Sequence, residues 1–228
     1  GAGPAARRMK TITRVRHGER EANAGLPSGD PALSPRTATG IAQAAHWARS
    51  MDWQPAQVFS SHYQRAQHTA APCAARWQLP IETIANLHEF VTLPPDEVAG
   101  TTNLARKPLI VATKARAEPA HCTGPGAESF LAFAGRVDQV RVRLEALPDR
   151  SVVFGHGMWL AMLVWRCMGF PVDSTRAMQA FRAFQLGLPM PNCCSYALHG
   201  DDGHWAIRFA AALPRALPTP GEQAVQIQ

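Results

Sequence analysis

Two short runs, far apart in the chain, end in the same way. "TITRVRHG" from Thr11 alternates, is rich in β-branched residues, and runs into Arg16-His17-Gly18. "SVVFGHG" from Ser151 is apolar without a break, as a strand covered on both faces would be, and runs into His156-Gly157. Between them, short strand patterns at Ala56 ("AQVFS") and Ile81 ("IETI") alternate with helical ones. A chain of this kind folds as α/β around a largely parallel sheet, and such sheets bind ligands at the carboxyl ends of their strands. Both histidines stand at such an end.

The helical stretches follow from the same reading. Ser34 is placed to cap a helix with Pro35 at its first position, where a missing N–H costs nothing. Ile41, Ala44, Ala45, Ala48 and Met51 then mark the inward face. "SHYQRAQHTAAPCAARW" from Ser61 is a second helix, with a kink expected at Pro72. From Leu93 to Gly126 the chain has many Pro, Thr and Gly residues and no clear period, which predicts a partly irregular inserted lid. An amphipathic helix is expected from about Ala127 to Leu147, with Phe130, Ala134, Val137, Leu144 and Leu147 inward. The helix from Met158 is apolar enough to be core, with Trp159 a candidate for the edge of a pocket. Asp173 is a candidate cap for another helix. "SYALHGDDGHWAIRF" reads as a hairpin turned by "GDDG".

The chain has 228 residues, enough for one sizeable domain, here expected over 9–213 with the lid at about 88–130 and loose tails at 1–8 and 214–228. No apolar run is long enough to span a bilayer, and the opening "GAGPAARRMK" lacks the apolar segment of a secretory signal. The five cysteines are odd in number, two are adjacent, and none has zinc-ligand spacing. Cys193 and Cys194 are expected on alternate faces of a strand. A reducing, cytoplasmic location fits this usage. The net charge is +6, with 20 of the 23 basic residues arginine. They are scattered rather than gathered in a run with interleaved aromatics, which argues against a nucleic-acid interface.

The strand ends supply a chemistry. Arg16 offers a planar fork of donors suited to a phosphate. Gly18 and Gly157 let backbone approach a ligand. Arg65 opens the helix after the "AQVFS" strand and so lies at the same sheet edge. Two arginines and two histidines meeting there repel one another by about 4 kcal/mol per pair at 4 Å and an effective dielectric near 20, unless an anion joins them. The same field disfavours a protonated imidazole, which leaves His17 neutral and nucleophilic near pH 7. A phosphoryl group is the natural target.

These residues carry a resemblance. "RHGE" from Arg16, with Asn23 after it, is similar to the signature of the histidine phosphatase superfamily, the phosphoglycerate mutase-like group of branch 1. "DPALSPRTATGIAQA", "SSHYQRAQHTA", "LHEF", "GAESFLAFAGRV", "VVFGHGMWL" and "NCCSYAL" resemble its further blocks, in order, from Met9 to Phe209. The resemblance implies a three-layer α/β/α sandwich with a mostly parallel sheet. It makes His17 the site of a phosphohistidine. It gives Arg16, Arg65, His156, Asn23 and Gly18 to phosphate binding, and Glu89 to protonation of the departing oxygen. Glu19 is the alternative acid, or else holds an arginine in place. It implies no metal and no cofactor, a small phosphorylated substrate, no nucleic-acid or membrane partner, and leaves the oligomeric state open, a homodimer included.

Dedicated mutases of the family carry a tryptophan and a second asparagine where this chain reads "REANAGLPSGD", and a tyrosine-glycine pair where it reads "FVTLPPDEVAGTT". Those departures favour a phosphatase, with a mutase-type phosphotransferase or a non-catalytic phosphoanion-binding or protein-binding module as alternatives. Arg106 and Lys107 read as an exposed basic pair, or as contacts to a second anionic group.

Overall fold

The register of two neighbouring strands fixes the architecture of the site. In the computed structural model, which describes residues 9–20, 32–33, 36–201 and 204–210, β1 (Lys10–Arg16) and β4 (Ser151–Gly155) run parallel, with Val15 beside Phe154 and Arg16 beside Gly155. The next residue of each strand is a histidine, so the two rings emerge side by side.

Among the described residues the sheet has six strands in the order β3-β2-β4-β1-β5-β6, where β2 is Val58–Ser60, β3 Ile81–Thr83, β5 Ser195–Asp201 and β6 His204–Ala210. The pairs among β3, β2, β4 and β1 are parallel; β5 and β6 are antiparallel additions at one edge. The predicted turn residues of that hairpin, 202 and 203, lie outside the described residues, as do Ser34, Pro35 and both predicted tails.

Helices cover both faces. β4 shows why, because its side chains alternate between two cores and all of it is buried. Val152 and Phe154 pack with Val15, Val58 and Trp47 against α1 (Ala38–Ser50) and α2 (Gln64–Trp77). Val153 packs with Ile12 and Phe59 against α5 (Phe130–Glu145) and α6 (Gly157–Cys167), whose Phe133 and Trp159 are fully buried. Truncating a ring such as Phe133 to alanine costs about 3–5 kcal/mol. The third helix on that side is α7 (Thr175–Gly187), which enters the core through Phe181.

Local chemistry sets the boundaries, and it corrects several expectations. α1 begins at Ala38, where the Thr37 side chain accepts the Gly40 N–H, and its inward face uses Trp47 while Ile41 is 53% exposed. α2 contains Pro72 in its interior. Ser174, not Asp173, caps α7 through the Ala177 N–H. Cys193 precedes β5 with φ 56°, so the vicinal cysteines do not alternate along a strand; both are buried. Trp159 belongs to the core, its indole N–H given to the Asn86 carbonyl at 3.0 Å, and it does not edge a pocket.

The segment expected to be irregular is half helix. It contains α3 (Pro95–Val98) and the 14-residue α4 (Asn103–Arg116), capped by Thr102 through the Ala105 N–H. Pro108 hid α4 from the sequence pattern, because a proline in the first turns and an apolar face with no buried partner weaken the helical signal. Leu104, Leu109 and Val111 of this helix are exposed, and Arg106 is its one buried residue. Among the described residues no helix is long and apolar enough to cross a membrane.

Candidate active site

His17 is 4% exposed and held on every side. Its backbone N–H bonds the Gly155 carbonyl at 3.0 Å, tying it to β4. Its carbonyl accepts the Asn192 side-chain amide at 3.1 Å and the Cys193 N–H at 3.3 Å. Its Nδ1 lies 2.7 Å from the Gly18 carbonyl oxygen. A carbonyl can only accept, so Nδ1 carries the proton and the neutral ring keeps its lone pair on Nε2.

His156 is 1% exposed, and its ring centroid is 5.4 Å from that of His17. Its Nε2 is 2.7 Å from the Ser61 hydroxyl, which also accepts the Tyr63 N–H at 3.3 Å. Ser61 follows β2 directly, where Ser60 pairs with Phe154, so this partner also comes from the sheet edge. The Tyr63 ring packs on His156, with 5.2 Å between centroids, and the Arg65 guanidinium lies over Tyr63 at 4.6 Å.

The cations gather as the strand-end rule requires. Burial and then the charges of Arg65, Arg16 and Arg20 push the His17 imidazole well below its ordinary range. Burial and then Arg65 do the same to His156. Arg65 is 3% exposed; burial lowers its guanidinium to about 10, against the opposing charge of Glu89. The Arg16 guanidinium lies over Gly157, close enough that a Cβ there would meet its Nε at 3.4 Å, and it donates to the Met190 carbonyl.

Glu89 reaches the same place by another route. Its Oε1 accepts the Trp159 N–H at 2.9 Å and the Phe90 N–H at 3.1 Å, and its Oε2 accepts the Met158 N–H at 3.1 Å. The carboxylate thus sits on the open N–H groups at the start of α6, where a negative charge is favoured. Arg136 fixes the segment that carries it, donating to the carbonyls of Asn86 and His88 at 2.8 and 2.7 Å and pairing with Glu128 at 2.5 Å.

The other expected residues fall as follows. Gly18 serves packing against the chain itself: a Cβ would stand 2.6 Å from the Gly40 oxygen, and its N–H goes to Thr69 Oγ1 at 3.0 Å. Glu19 is buried and accepts the Thr37 hydroxyl at 2.6 Å, so it secures the start of α1. Asn23 lies outside the described residues. Arg106 is 6% exposed and bonds Thr101 and Asn103, so it is not half of an exposed basic pair; Lys107 is exposed. Among the described residues no group of three or more His, Cys, Asp or Glu is placed to hold a metal.

Sequence reasoning missed Ser61, Thr69, Arg136, Asn192 and Arg20. Arg20 follows Glu19 in the loop after β1, and its charge reaches His17, Arg16, Arg65 and Glu89. The signal was there in "RHGER", but a cation three residues past the histidine had no strand end to place it.

The sequence model of the histidine phosphatase superfamily (branch 1) matches residues 12–212, most of the chain. The chain belongs to that superfamily. The adenosylcobalamin/alpha-ribazole phosphatase of Escherichia coli K12 is 31% identical over 175 residues, which cover 75% of this chain and 84% of that one. Among solved histidine phosphatase-like folds, the alpha-ribazole phosphatase of Shigella flexneri superposes with a TM-score of 0.68 at 25% identity, over 90% of this chain and all of that one. A mycobacterial glucosyl-3-phosphoglycerate phosphatase, solved with VO3, gives 0.68 at 23% identity over 89% and 98%, a likeness of fold. The superfamily membership and the phosphatase names of these relatives agree with the strand-end histidines.

Proposed function

We propose that this chain is a phosphomonoesterase that carries the phosphoryl group transiently on His17, with a small phosphorylated metabolite as substrate. One observation carries the reading: His17 is a buried, neutral imidazole whose Nδ1 proton is spent on Gly18, which leaves its Nε2 lone pair free on a ring 5.4 Å from that of His156 and within the field of Arg65 and Arg16.

The residues divide the work. Arg16 and Arg65 hold the non-bridging oxygens and offset the charge that builds on them. When the Ser61 hydroxyl donates to His156 Nε2, the His156 Nδ1–H, which has no partner among the described residues, becomes a third donor. The His17 Nε2 lone pair forms the N–P bond as the bond from phosphorus to the leaving oxygen breaks. Glu89 supplies the proton that oxygen needs. Oε2 is the oxygen for it, since it accepts one N–H where Oε1 accepts two. Water then forms a P–O bond as the N–P bond breaks, and its proton returns to Glu89. The arginines supply charge compensation that metal ions supply elsewhere.

The test is hydrolysis of p-nitrophenyl phosphate in EDTA, with trapping of an acid-labile phosphoenzyme. His17→Ala is expected to lose both turnover and label; full activity in that variant removes the reading. A second reading, a phosphate-binding module without turnover, draws on the three backbone bonds that Glu89 already accepts. It predicts protection from melting by phosphate and no hydrolysis across a panel of phosphomonoesters.

A further inference from the structure

One cavity lies apart from the phosphoryl cup. It holds about 170 Å³ between α4, α5 and α7, and none of His17, Arg16, Arg65, His156 or Glu89 lines it. Phe90, Phe130, Met158, Met178 and Phe181 make its walls mainly apolar. Two cations, Lys114 of α4 and Arg182 of α7, stand in the same lining.

Those cations are close enough to oppose each other. Burial and then Arg182 bring the Lys114 ammonium down to about 8. Two carboxylates, Glu118 and Glu128, belong to the lining as well, and each is held by another arginine. Glu128 is held by Arg136 at 2.5 Å and by the Val91 N–H, and Glu118 pairs with Arg116 at 2.9 Å. Arg182 gives one N–H to Gln185 at 3.0 Å, and among the described residues neither it nor Lys114 has an ion pair. An apolar chamber of this size with two adjacent cations, neither paired with a carboxylate among the described residues, is complementary to one kind of occupant.

We infer that this cavity is a second ligand site, separate from the phosphoryl cup, for a small anion with an apolar body: the body rests against Phe90, Met158, Met178 and Phe181, and the charge lies between Lys114 and Arg182. The two sites share a wall. Phe90 follows Glu89, and the Met158 N–H is bonded to Glu89 Oε2. A ligand here rests against the segment that holds Glu89 and ties α4 to the body of the protein.

The probe is 8-anilinonaphthalene-1-sulfonate, which joins an apolar ring system to one negative charge. Its fluorescence is titrated on the full chain, with and without saturating inorganic phosphate, so the readout does not depend on turnover. One dye per chain is expected, unchanged by phosphate. The paired substitution Lys114→Gln with Arg182→Gln should weaken it at least tenfold, and Met178→Trp, which fills the chamber, should abolish it. The uncharged analogue N-phenyl-1-naphthylamine should bind at least tenfold more weakly. Circular dichroism and melting check that the variants are folded. Dye binding that phosphate displaces, or that survives these substitutions unchanged in folded protein, or that is absent altogether, overturns the inference.

Discussion

The Thr69 hydroxyl receives the Gly18 N–H at 3.0 Å and passes its own hydrogen to the Arg65 carbonyl at 2.6 Å. One buried side chain therefore joins the loop after β1 to the first turn of α2, the two places that present His17 and Arg65. Thr69→Val keeps the volume and removes both bonds, leaving the Gly18 N–H buried without an acceptor. The expected cost is about 1–3 kcal/mol of stability, read from urea unfolding. Because the change acts through the position of His17, kcat should fall more than KM rises, and Thr69→Ser should restore both. Equal stability and equal kcat in the valine variant would show that the bridge does not position the loop.

Glu89 and its three backbone bonds make a second prediction. Glu89→Gln keeps an acceptor for the start of α6 but removes the proton assigned to the leaving oxygen. Nitrophenolate leaves without help and an alkoxide does not, so the loss should depend on the ester. An alkyl phosphate should slow by about 10²–10⁴-fold, the range for a positioned acid. p-Nitrophenyl phosphate should slow far less. The same loss on both esters would mean that Glu89 acts through the position of α6 alone.

Much of this site was legible before any coordinates. A strand ending in Arg16-His17-Gly18 and another ending in His156-Gly157 had to meet if the strands were parallel neighbours, and the register of Arg16 beside Gly155 puts them there. Hydrophobic patterning is a local property, and it also marked β2, β3 and four inward residues of α5, with the buried Leu147 just past its end. What escaped depends on partners distant in sequence. Ser61 and Thr69 look like ordinary polar residues of a helix start, and only the packing of β2 and α2 against the histidine loops gives them a role. The burial of Arg106 depends on the turn at Thr101, and α4 has no apolar face turned to a core. Ile41 has the right spacing for an inward position, but the wider Trp47 ring fills that face.

Arg14 tests the energetics beneath the site. It lies in β1 at 1% exposure, with its guanidinium over the Trp159 ring at 4.7 Å, and its Nε and Nη1 have no partner among the described residues. Burial alone brings it down to about 9, and its charge adds to the field on His156. An unpaired buried charge costs more than its cation–π contact returns, and an apolar side chain of the same length does not carry that cost. Arg14→Met should therefore raise the stability read from urea unfolding, by an amount within the about 1–4 kcal/mol seen when buried ions give way to apolar residues. Arg14→Ala, which leaves a cavity, should lower it. A methionine variant less stable than the parent would mean that the guanidinium is bonded in solution.

The neutral histidines predict how the fold responds to acid. Burial, followed by Arg65, holds His17 and His156 well below the ordinary imidazole range, and burial, followed by Arg136, holds His88 at about 4. In the unfolded chain each titrates near 6.5. Above that pH both states leave the rings neutral, and the full stability is present. As the pH falls through 6.5 the unfolded chain takes up protons that the folded chain refuses, so stability declines, and the decline runs on to about 4 for His88 and lower for the other two. Each ring adds at most about one proton to the slope. Urea midpoints measured from pH 7.5 to 5 isolate this window, because carboxylates titrate mainly below it. The stability should fall steadily across it, and the fall should be shallower in His17→Gln and His156→Gln. A flat profile in the parent, or an unchanged slope in both variants, would mean that the rings accept protons in the folded state and that the cationic field around His17 is weaker than its burial among Arg16, Arg20 and Arg65 requires.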